Sequence, residues 1–404
     1  MKLSEELAWR GFVNQTTYPD MSALDGDPIS FYFGVDPSAD SMQIGNLAAA
    51  MMVRHFIDHG HHAYLLVGGA TGMIGDPDGK KDERNLQTLE AIDHNKQAIA
   101  AQYKTVFAGK DFTVVDNYDW FKELNYIDFL RTVGKNVPLS QMLGREFVQS
   151  RLGTDGSGIS YAEFSYSLIQ GYDFVHLSRT YDVTLQLCGA DQWGNSIAGV
   201  DLIRRMDNKE AHVYSTPLVV NKTTGAKFGK SEGGAIWLDP AKTSVYAFYQ
   251  FWLNAGDADV IDWLKVFTVL SKEAIDDLER DTHENPQRRM AQKVLAREVT
   301  SIVHGGDRAQ SAEAVSRVLF GEMNFADLLD EDIELLAHEI PVVGLGTTIV
   351  DALVSSGAAS SNGEAKRLIE SGAVSVSGEK GDSDHSVNLR SLIKKGKNSF
   401  ILVR

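Results

Sequence analysis

The sequence predicts an α/β fold: a Rossmann-like, doubly wound parallel sheet, then an all-helical domain, then a small α+β module. Residues 1–222 mix apolar strand-like runs with amphipathic helical stretches, the alternation that builds parallel sheets. From about residue 236 to 325 the pattern turns helical, and from about 341 it changes again to short helical and alternating segments.

Residues 31–35 read as a buried strand and residues 36–41 as a loop. Leu47, Met51 and Phe56 then recur at near-helical spacing until Gly60 supplies a stop. Gln43-Ile44-Gly45-Asn46 therefore stands where a strand's carboxyl end turns into a helix amino terminus. Partly positive N–H groups favour phosphate there, and open α/β sheets bind ligands there. A second apolar run, residues 63–67, leads into Gly68-Gly69-Ala70-Thr71-Gly72-Met73-Ile74-Gly75-Asp76-Pro77, a glycine-dense turn whose missing Cβ atoms let backbone N–H groups approach a polyanion. Tyr166, Gln170 and Asp173 fall at i, i+4 and i+7, one face of a helix. Lys227-Phe228-Gly229-Lys230-Ser231 is a loop with two ammonium groups three residues apart, placed at the junction with the helical domain. Neither glycine segment has the spacing of a Walker loop or a dinucleotide fingerprint, so the pattern points to ATP chemistry without a P-loop.

Farther on, Pro286 suits a first helical turn, with Met290, Val294, Leu295 and Ile302 making one apolar face that Gly305 and Gly306 end. Ser361-Asn362-Gly363-Glu364 fits a capping box, Gly372 is the matching stop, and residues 373–378 alternate like a strand and turn.

The chain has 404 residues, long for one core, and no stretch approaches membrane-spanning length. Its start is a short amphipathic opening without an apolar signal core. The single cysteine, Cys188, rules out an internal disulfide framework and suits a reducing cytoplasm; it reads as a small core residue. Net charge is −16, yet residues 341–404 hold eight Lys or Arg against six Asp or Glu, a net of +2 that leaves −18 on the rest. An acidic body with a basic tail is the asymmetry expected when one end meets a phosphate backbone.

With these motifs in this order, the chain resembles bacterial tyrosyl-tRNA synthetases, which are class I enzymes. Gln43-Ile44-Gly45-Asn46 occupies the place of the His-Ile-Gly-His signature and Lys227-Phe228-Gly229-Lys230-Ser231 that of Lys-Met-Ser-Lys-Ser. Similarity extends through Phe164-Ser165-Tyr166-Ser167-Leu168-Ile169-Gln170-Gly171-Tyr172-Asp173 and Gly189-Ala190-Asp191-Gln192-Trp193-Gly194-Asn195. The tail resembles the alpha-L RNA-binding module, with Lys366 and Arg367 on its basic helix face.

The resemblance implies activation of L-tyrosine with ATP and magnesium, transfer to tRNA-Tyr, and a cytoplasmic homodimer. It assigns the phosphates to Gln43, Ser38, Lys80, Arg84, Lys227, Lys230 and Ser231. The amino acid falls to Tyr32, Asp76, Tyr166, Gln170, Asp173 and Gln192, and the nucleotide to Gly34, Asp36, Gly45, Asn46, Gly189, Asp191 and Lys230. Arg204, Arg205, Lys366 and Arg367 would meet tRNA, and no dedicated protein metal site is implied. The domain division expected is 1–222 catalytic with a dimer-forming insertion, 223–325 lysine loop and helical domain, 326–340 linker, and 341–404 RNA-binding module. Two other readings stay open on the residues: a related adenylating enzyme for a tyrosine analogue or a non-tRNA acceptor, and a catalytically silent RNA-binding paralogue. His55, His59, His61 and His62 read as a solvated helix end rather than a zinc site, and Trp252, Trp263 and Phe267 as helical core.

Overall fold

β-Branched and aromatic runs become six strands of one sheet: β1 (Gln15–Thr16), β2 (Ser30–Val35), β3 (His62–Val67), β4 (Phe112–Asp116), β5 (Val183–Gly189) and β6 (His212–Thr216). Their order is β1-β6-β5-β2-β3-β4, with β1 antiparallel to β6 and every other pair parallel. The chain leaves β2 toward β3 and β4 on one side, whereas β5 and β6 lie on the other. That reversal creates the crevice in which doubly wound sheets bind ligands. This computed structural model describes residues 1–77, 86–152, 158–220, 222, 228, 230–231, 234–382 and 386–404, without the side chains at 146, 147, 230 and 231. It divides into two compact units, Met1–Lys242 with Ala255–Ala291, and Thr243–Asn254 with Gln292–Arg404.

In the first unit the helices are α1 (Leu3–Arg10), α2 (Ile44–Asp58), α3 (Gly69–Ile74), α4 (Leu89–Val106), α5 (Tyr118–Phe121), α6 (Tyr126–Thr132), α7 (Leu139–Leu143), α8 (Glu146–Leu152), α9 (Tyr161–Tyr181), α10 (Trp193–Asp207), α12 (Val260–Phe267) and α13 (Lys272–Glu284). Ser160 caps α9 by accepting from the Glu163 N–H, and Asp182 ends the helix in the left-handed region at φ +53°. The place of α9 is fixed by close backbone approach to α10. A Cβ on Gly171 would come within 2.9 Å of Leu202, and one on Gly199 within 2.9 Å of Phe174.

α1 is anchored by charge. Arg10, 4% exposed, donates to the carbonyls of Lys265, Thr268 and Leu270 and to Glu6. Glu6 also pairs with His55 and His59, and the His55 bond foremost holds its carboxyl far below the usual range. The expected solvated histidine end holds for the exposed His59 and His62 and is corrected for the other two: His55 and His61 are 2% and 5% exposed, and His61 Nδ1 accepts from the Ile29 N–H. A half-buried Glu6 on a distant segment supplies His55 with the partner that local periodicity does not reveal.

The second unit holds α11 (Val245–Leu253), α14 (Met290–His304) from Gln292 onward, α15 (Gly306–Leu319) and α16 (Asp330–Glu339). Pro286 opens a single 3-10 turn, and Arg289 at φ +50° separates that turn from α14. The buried face of α14 runs through Ala291, Leu295, Val299 and Val303, so Val294 and Ile302 flank it and Met290 is exposed. Gly305 ends α14, but Gly306 already begins α15.

β7 (Lys230–Ser231) pairs antiparallel with β8 (Gly234–Ala235) in the first unit. The carboxyl-terminal region comprises β9 (Val342–Val343), β10 (Thr347–Thr348), α17 (Ile349–Ser355), α18 (Asn362–Glu370), β11 (Val374–Val376), β12 (Glu379–Lys380), β13 (Ser386–Val387), β14 (Ser391–Lys395) and β15 (Ser399–Val403). Its main sheet runs β12-β11-β14-β15-β9. Side chains alternate faces along a strand, and both faces are buried. Ile393, Ile401 and Val403 meet Leu353, Ala365 and Ile369 of α17 and α18. Leu392 and Leu402 meet Val315 and Leu319 of α15 and Ile333 and Leu336 of α16. Residues 326–340, expected as a linker, therefore carry α16 and pack on the sheet. Arg390 pairs with Asp330 and Arg404 with Glu334 across the same contact.

Leu402→Ala should cost about 2–5 kcal/mol, the usual range for truncating a buried leucine, and should loosen α15, α16 and the terminal sheet together. Hydrogen exchange that accelerates only in β14 and β15 would instead mean that the two layers open independently.

Candidate active site at the carboxyl ends of β2 and β5

A cavity of about 380 Å³ opens where the strand order reverses. Its lining includes Tyr32, Gly34, Asp36, Ser38, Gln43, Gly45, Asn46, Asp76, Tyr166, Gln170, Asp173, Gly189, Asp191 and Gln192. Residues from β2, α2, the segment after α3, α9 and the end of β5 thus converge as the motifs imply. Arg204 and Arg205 lie instead in the last turn of α10, where Arg204 pairs with Asp201. Lys366 and Arg367 are exposed on α18 in the second unit. Lys80, Arg84 and Lys227, and the side chains of Lys230 and Ser231, lie outside the described residues. A larger open groove of about 820 Å³ runs along β4, but none of the site residues singled out from the sequence line it.

One end of the cavity is a buried polar network. Asp173 is 1% exposed; its carboxylate accepts from Asn117 Nδ2 at 3.1 Å and Trp120 Nε1 at 2.9 Å. Burial pushes that carboxyl well above the usual range, and the two donors only partly oppose it. Tyr32, also 1% exposed, lies beside it with a hydroxyl that has no hydrogen-bond partner among the described residues. Burial first, and Asp173 second, hold the Tyr32 phenol well above its ordinary pKa. An unpartnered buried hydroxyl costs roughly 1–3 kcal/mol, which a polar ligand group recovers. Gln186 Oε1, 3% exposed on β5 level with Tyr32, is a second such acceptor in the same wall.

Asp36 ties the strand ends together. Its Oδ1 accepts from the Thr71 hydroxyl at 2.6 Å and its Oδ2 from the Tyr166 hydroxyl at 2.7 Å. Asn117 Nδ2 also donates to Thr71 Oγ1 at 3.1 Å. On the adjoining side Gln192 Nε2 donates to Asp76 Oδ2 at 2.6 Å.

The glycine-dense segment differs from its expected role. Residues 69–74 form α3 rather than an open turn, and its first N–H groups are already taken: Gly69 N donates to Asp116 at 3.1 Å and Ala70 N to Asn117 Oδ1 at 2.7 Å. The glycines are needed for room. A Cβ on Gly68 would fall 2.4 Å from Asp36 Oδ1, and one on Gly69 2.3 Å from Asp116 Oδ1. At the start of α2 the Gln43 N–H donates to Asn46 Oδ1 at 3.0 Å, so Asn46 caps the helix with its carbonyl and keeps its amide N–H group as a donor. Cys188 is buried, as expected of a small core residue, but in the cavity wall, and burial pushes its thiol up to about 12.

Thr71, Asn117, Trp120 and Gln186 were not singled out from the sequence. Asn117 and Trp120 directly follow β4, so the carboxyl-end rule offered a signal for them. Gln186 was visible as the one amide inside an apolar run. At Phe228 the lysine segment has an apolar anchor, its ring 5.0 Å from that of Trp263 and 5.1 Å from that of Phe267.

Trp120→Phe removes one donor to Asp173. The KM for the amino acid that the resemblance implies should rise about tenfold to a hundredfold, the value of a hydrogen bond to a charged group. With less support for the ionised form the carboxyl pKa rises further, so the acid limb of kcat/KM should move to higher pH. An unshifted limb with a raised KM would mean that the indole only fills space.

Residues 24–321 match the model of the class I tRNA synthetases (W and Y), and residues 332–404 that of the tyrosine–tRNA ligase SYY-like C-terminal domain. The chain is 43% identical over the whole of both chains to the tyrosine–tRNA ligase of Limosilactobacillus reuteri. It is 44% identical to tyrosine–tRNA ligase 2 of Bacillus cereus, covering 100% of this chain and 99% of that one. A truncated mitochondrial tyrosyl-tRNA synthetase of Aspergillus nidulans superposes with a TM-score of 0.71 at 28% identity, over 79% of this chain and 94% of its own. Switch-point cavity, full-length identity and matching terminal domain together make the chain a member of the tyrosine–tRNA ligase family of class I tRNA synthetases.

Proposed function

We propose that this cavity activates L-tyrosine with ATP, releasing pyrophosphate, and that the tyrosyl group then passes to the 3′-terminal adenosine of tRNA-Tyr. The single observation that carries the substrate choice is the pairing of Tyr32 and Asp173. Two polar groups, each about 1% exposed, face the same cavity. A phenol satisfies both; phenylalanine leaves both desolvated, which is worth roughly 10⁴-fold or more in discrimination.

Asp76, Tyr166 and Gln170 hold the α-ammonium in this reading. Asp36 and Gln192 sit beside the reacting carboxylate, while Gly34, Gly45, Asn46, Gly189 and Asp191 surround the nucleotide. ATP arrives with magnesium as a substrate complex; among the described residues no cluster of His, Cys, Asp or Glu is arranged to hold an ion. Charge growing on the phosphates is met by Gln43, Ser38, Lys80, Arg84, Lys227, Lys230 and Ser231. Donors strengthened in the transition state raise kcat without tightening tyrosine.

The working protein is read as a cytoplasmic homodimer. No described helix is long and apolar enough to cross a membrane. Exposed Tyr126, Ile127, Leu139, Leu152 and Tyr161 on α6 to α9 form the surface assigned to the second copy. Arg204 and Arg205, and Lys366 and Arg367, are assigned to the tRNA backbone. The accompanying division of labour is catalysis by residues 1–222, the lysine loop and helical domain in residues 223–325, and RNA binding by residues 341–404.

Pyrophosphate exchange across the twenty amino acids tests the reading directly. Tyrosine should support it and phenylalanine should not; comparable rates with the two would end the assignment. Gln43→Ala should slow exchange by about tenfold to over a hundredfold, one donor being worth about 1.5–3 kcal/mol, with tyrosine affinity preserved. Gln43→His should retain the rate. An alanine variant as fast as wild type would remove Gln43 from the catalytic set.

A further inference from the structure

Arg145 stands between α7 and α8, on the segment whose helices carry exposed Leu139 and Leu152, and it reaches back to the amino end of α10. Its guanidinium donates to Asn195 Oδ1 at 2.6 Å and to the Gly194 carbonyl at 2.8 Å. Asn195, 3% exposed, donates through Nδ2 to Gln192 Oε1 at 3.2 Å. Gln192 in turn donates through Nε2 to Asp76 Oδ2 at 2.6 Å, and its own carbonyl accepts from the Ser196 hydroxyl at 2.9 Å. Four side chains thus make one continuous path from the helical insertion to a carboxylate of the cavity.

The chemistry of the two ends fixes the direction of everything between them. A guanidinium only donates, and an ionised carboxylate only accepts. Between such ends a pair of amides has a single arrangement in which every bond is made: each oxygen toward Arg145, each NH2 toward Asp76. Turning either amide sets donor against donor at one of its contacts and acceptor against acceptor at the other. We infer that Arg145 is a positioning residue for tyrosine activation: through Asn195 it sets the orientation of the Gln192 amide, and so presents a donor, not an acceptor, to Asp76. This rests on the reading of Asp76 and Gln192 as amino-acid contacts. It adds a residue on the insertion, beyond the cavity lining, on which their polarity depends.

Packing and polarity make opposite predictions for one substitution. Asn195→Asp keeps the size and strengthens the local pair with Arg145, so a purely structural role leaves the protein as stable or more so, with tyrosine handling intact. As a polarity relay the same change fails, because an aspartate cannot donate to Gln192 Oε1. Gln192 then turns its NH2 toward residue 195 and its oxygen toward the Asp76 carboxylate.

The experiment measures tyrosine-dependent pyrophosphate exchange, without tRNA, on full-length wild type, Asn195→Asp, Arg145→Met and Arg145→Lys, with a melting curve for each. The KM for tyrosine should rise about tenfold to a hundredfold in Asn195→Asp, the scale of one hydrogen bond to a charged group lost. It should rise less in Arg145→Met, which leaves the amides unbiased rather than reversed, and be largely rescued in Arg145→Lys, which still donates. Melting temperatures should stay within about 2 °C of wild type, under 1 kcal/mol for a unit of this size. An unchanged KM in Asn195→Asp, or a rise matched by a lowered melting temperature in all three variants, overturns the relay. Absence of tyrosine-dependent exchange in wild type would overturn the underlying functional reading instead.

Discussion

The hydrogen-bonded set of Asp36, Thr71, Asn117, Asp173, Trp120 and Tyr166 is the constraint on which the rest of the catalytic unit depends. Its members come from the end of β2, from α3 after β3, from the residues after β4 and from α9. Parallel strands pair with their neighbours along their length, but nothing in that pairing aligns the segments beyond their carboxyl ends. A buried carboxyl does so, because it collects its donors from these separate segments and losing one leaves a desolvated polar group at a cost of roughly 1–3 kcal/mol. Gly68 and Gly69 let α3 come close enough to join this set, and Gly171 and Gly199 set α9 at the distance it needs from α10.

How far sequence alone reaches depends on the range of the forces involved. Residues 31–35 were legible as a strand, 63–67 as an apolar run, and the stretch from the 43–46 motif to Gly60 as a helix, because periodicity and end signals are local. The shared face of Tyr166, Gln170 and Asp173 was legible for the same reason. What escaped depends on distance in the fold. Asn117 and Trp120 carry no periodicity of their own; only their place just after a strand marks them, and what fixes them is a carboxylate more than fifty residues away. His55 looked solvated because its partner, Glu6, lies on another helix. The glycines of α3 were legible as unusual but misread in purpose, since a close approach to a ligand and a close approach to an aspartate leave the same trace in sequence. Residues 326–340 looked like a spacer because α16 is short and polar, and only the second buried face of the β14–β15 sheet explains its packing.

The site also shows how a buried polar network differs from a hydrophobic core in its tolerance of change. In the module core around Ile393 and Leu353 an apolar residue of similar volume satisfies the packing. Around Asp173 size is secondary: Asn117 gives Nδ2 to Thr71 and Asp173 while Oδ1 accepts from Ala70, so its amide has one permitted orientation. A substitution there that preserves shape but reverses polarity breaks bonds on two sides at once. Such positions are intolerant for a reason that neither burial nor volume expresses.

The same consideration bears on Gln43 and Asn46, amides where the family signature has histidines. An imidazole can present a donor or an acceptor at either nitrogen and gains a charge near pH 6.5, so its role depends on pH and on the tautomer its neighbour selects. An amide has neither freedom: its NH2 donates at every pH. Once Asn46 Oδ1 is committed to the Gln43 N–H, the end of Asn46 left for a ligand is the donating one. Donation without titration suits the phosphate contact proposed for Gln43, because the phosphate accepts throughout the neutral range. What the amides lack is the added charge of a protonated imidazole, which places the electrostatic demand of pyrophosphate departure on the cationic residues proposed for the site.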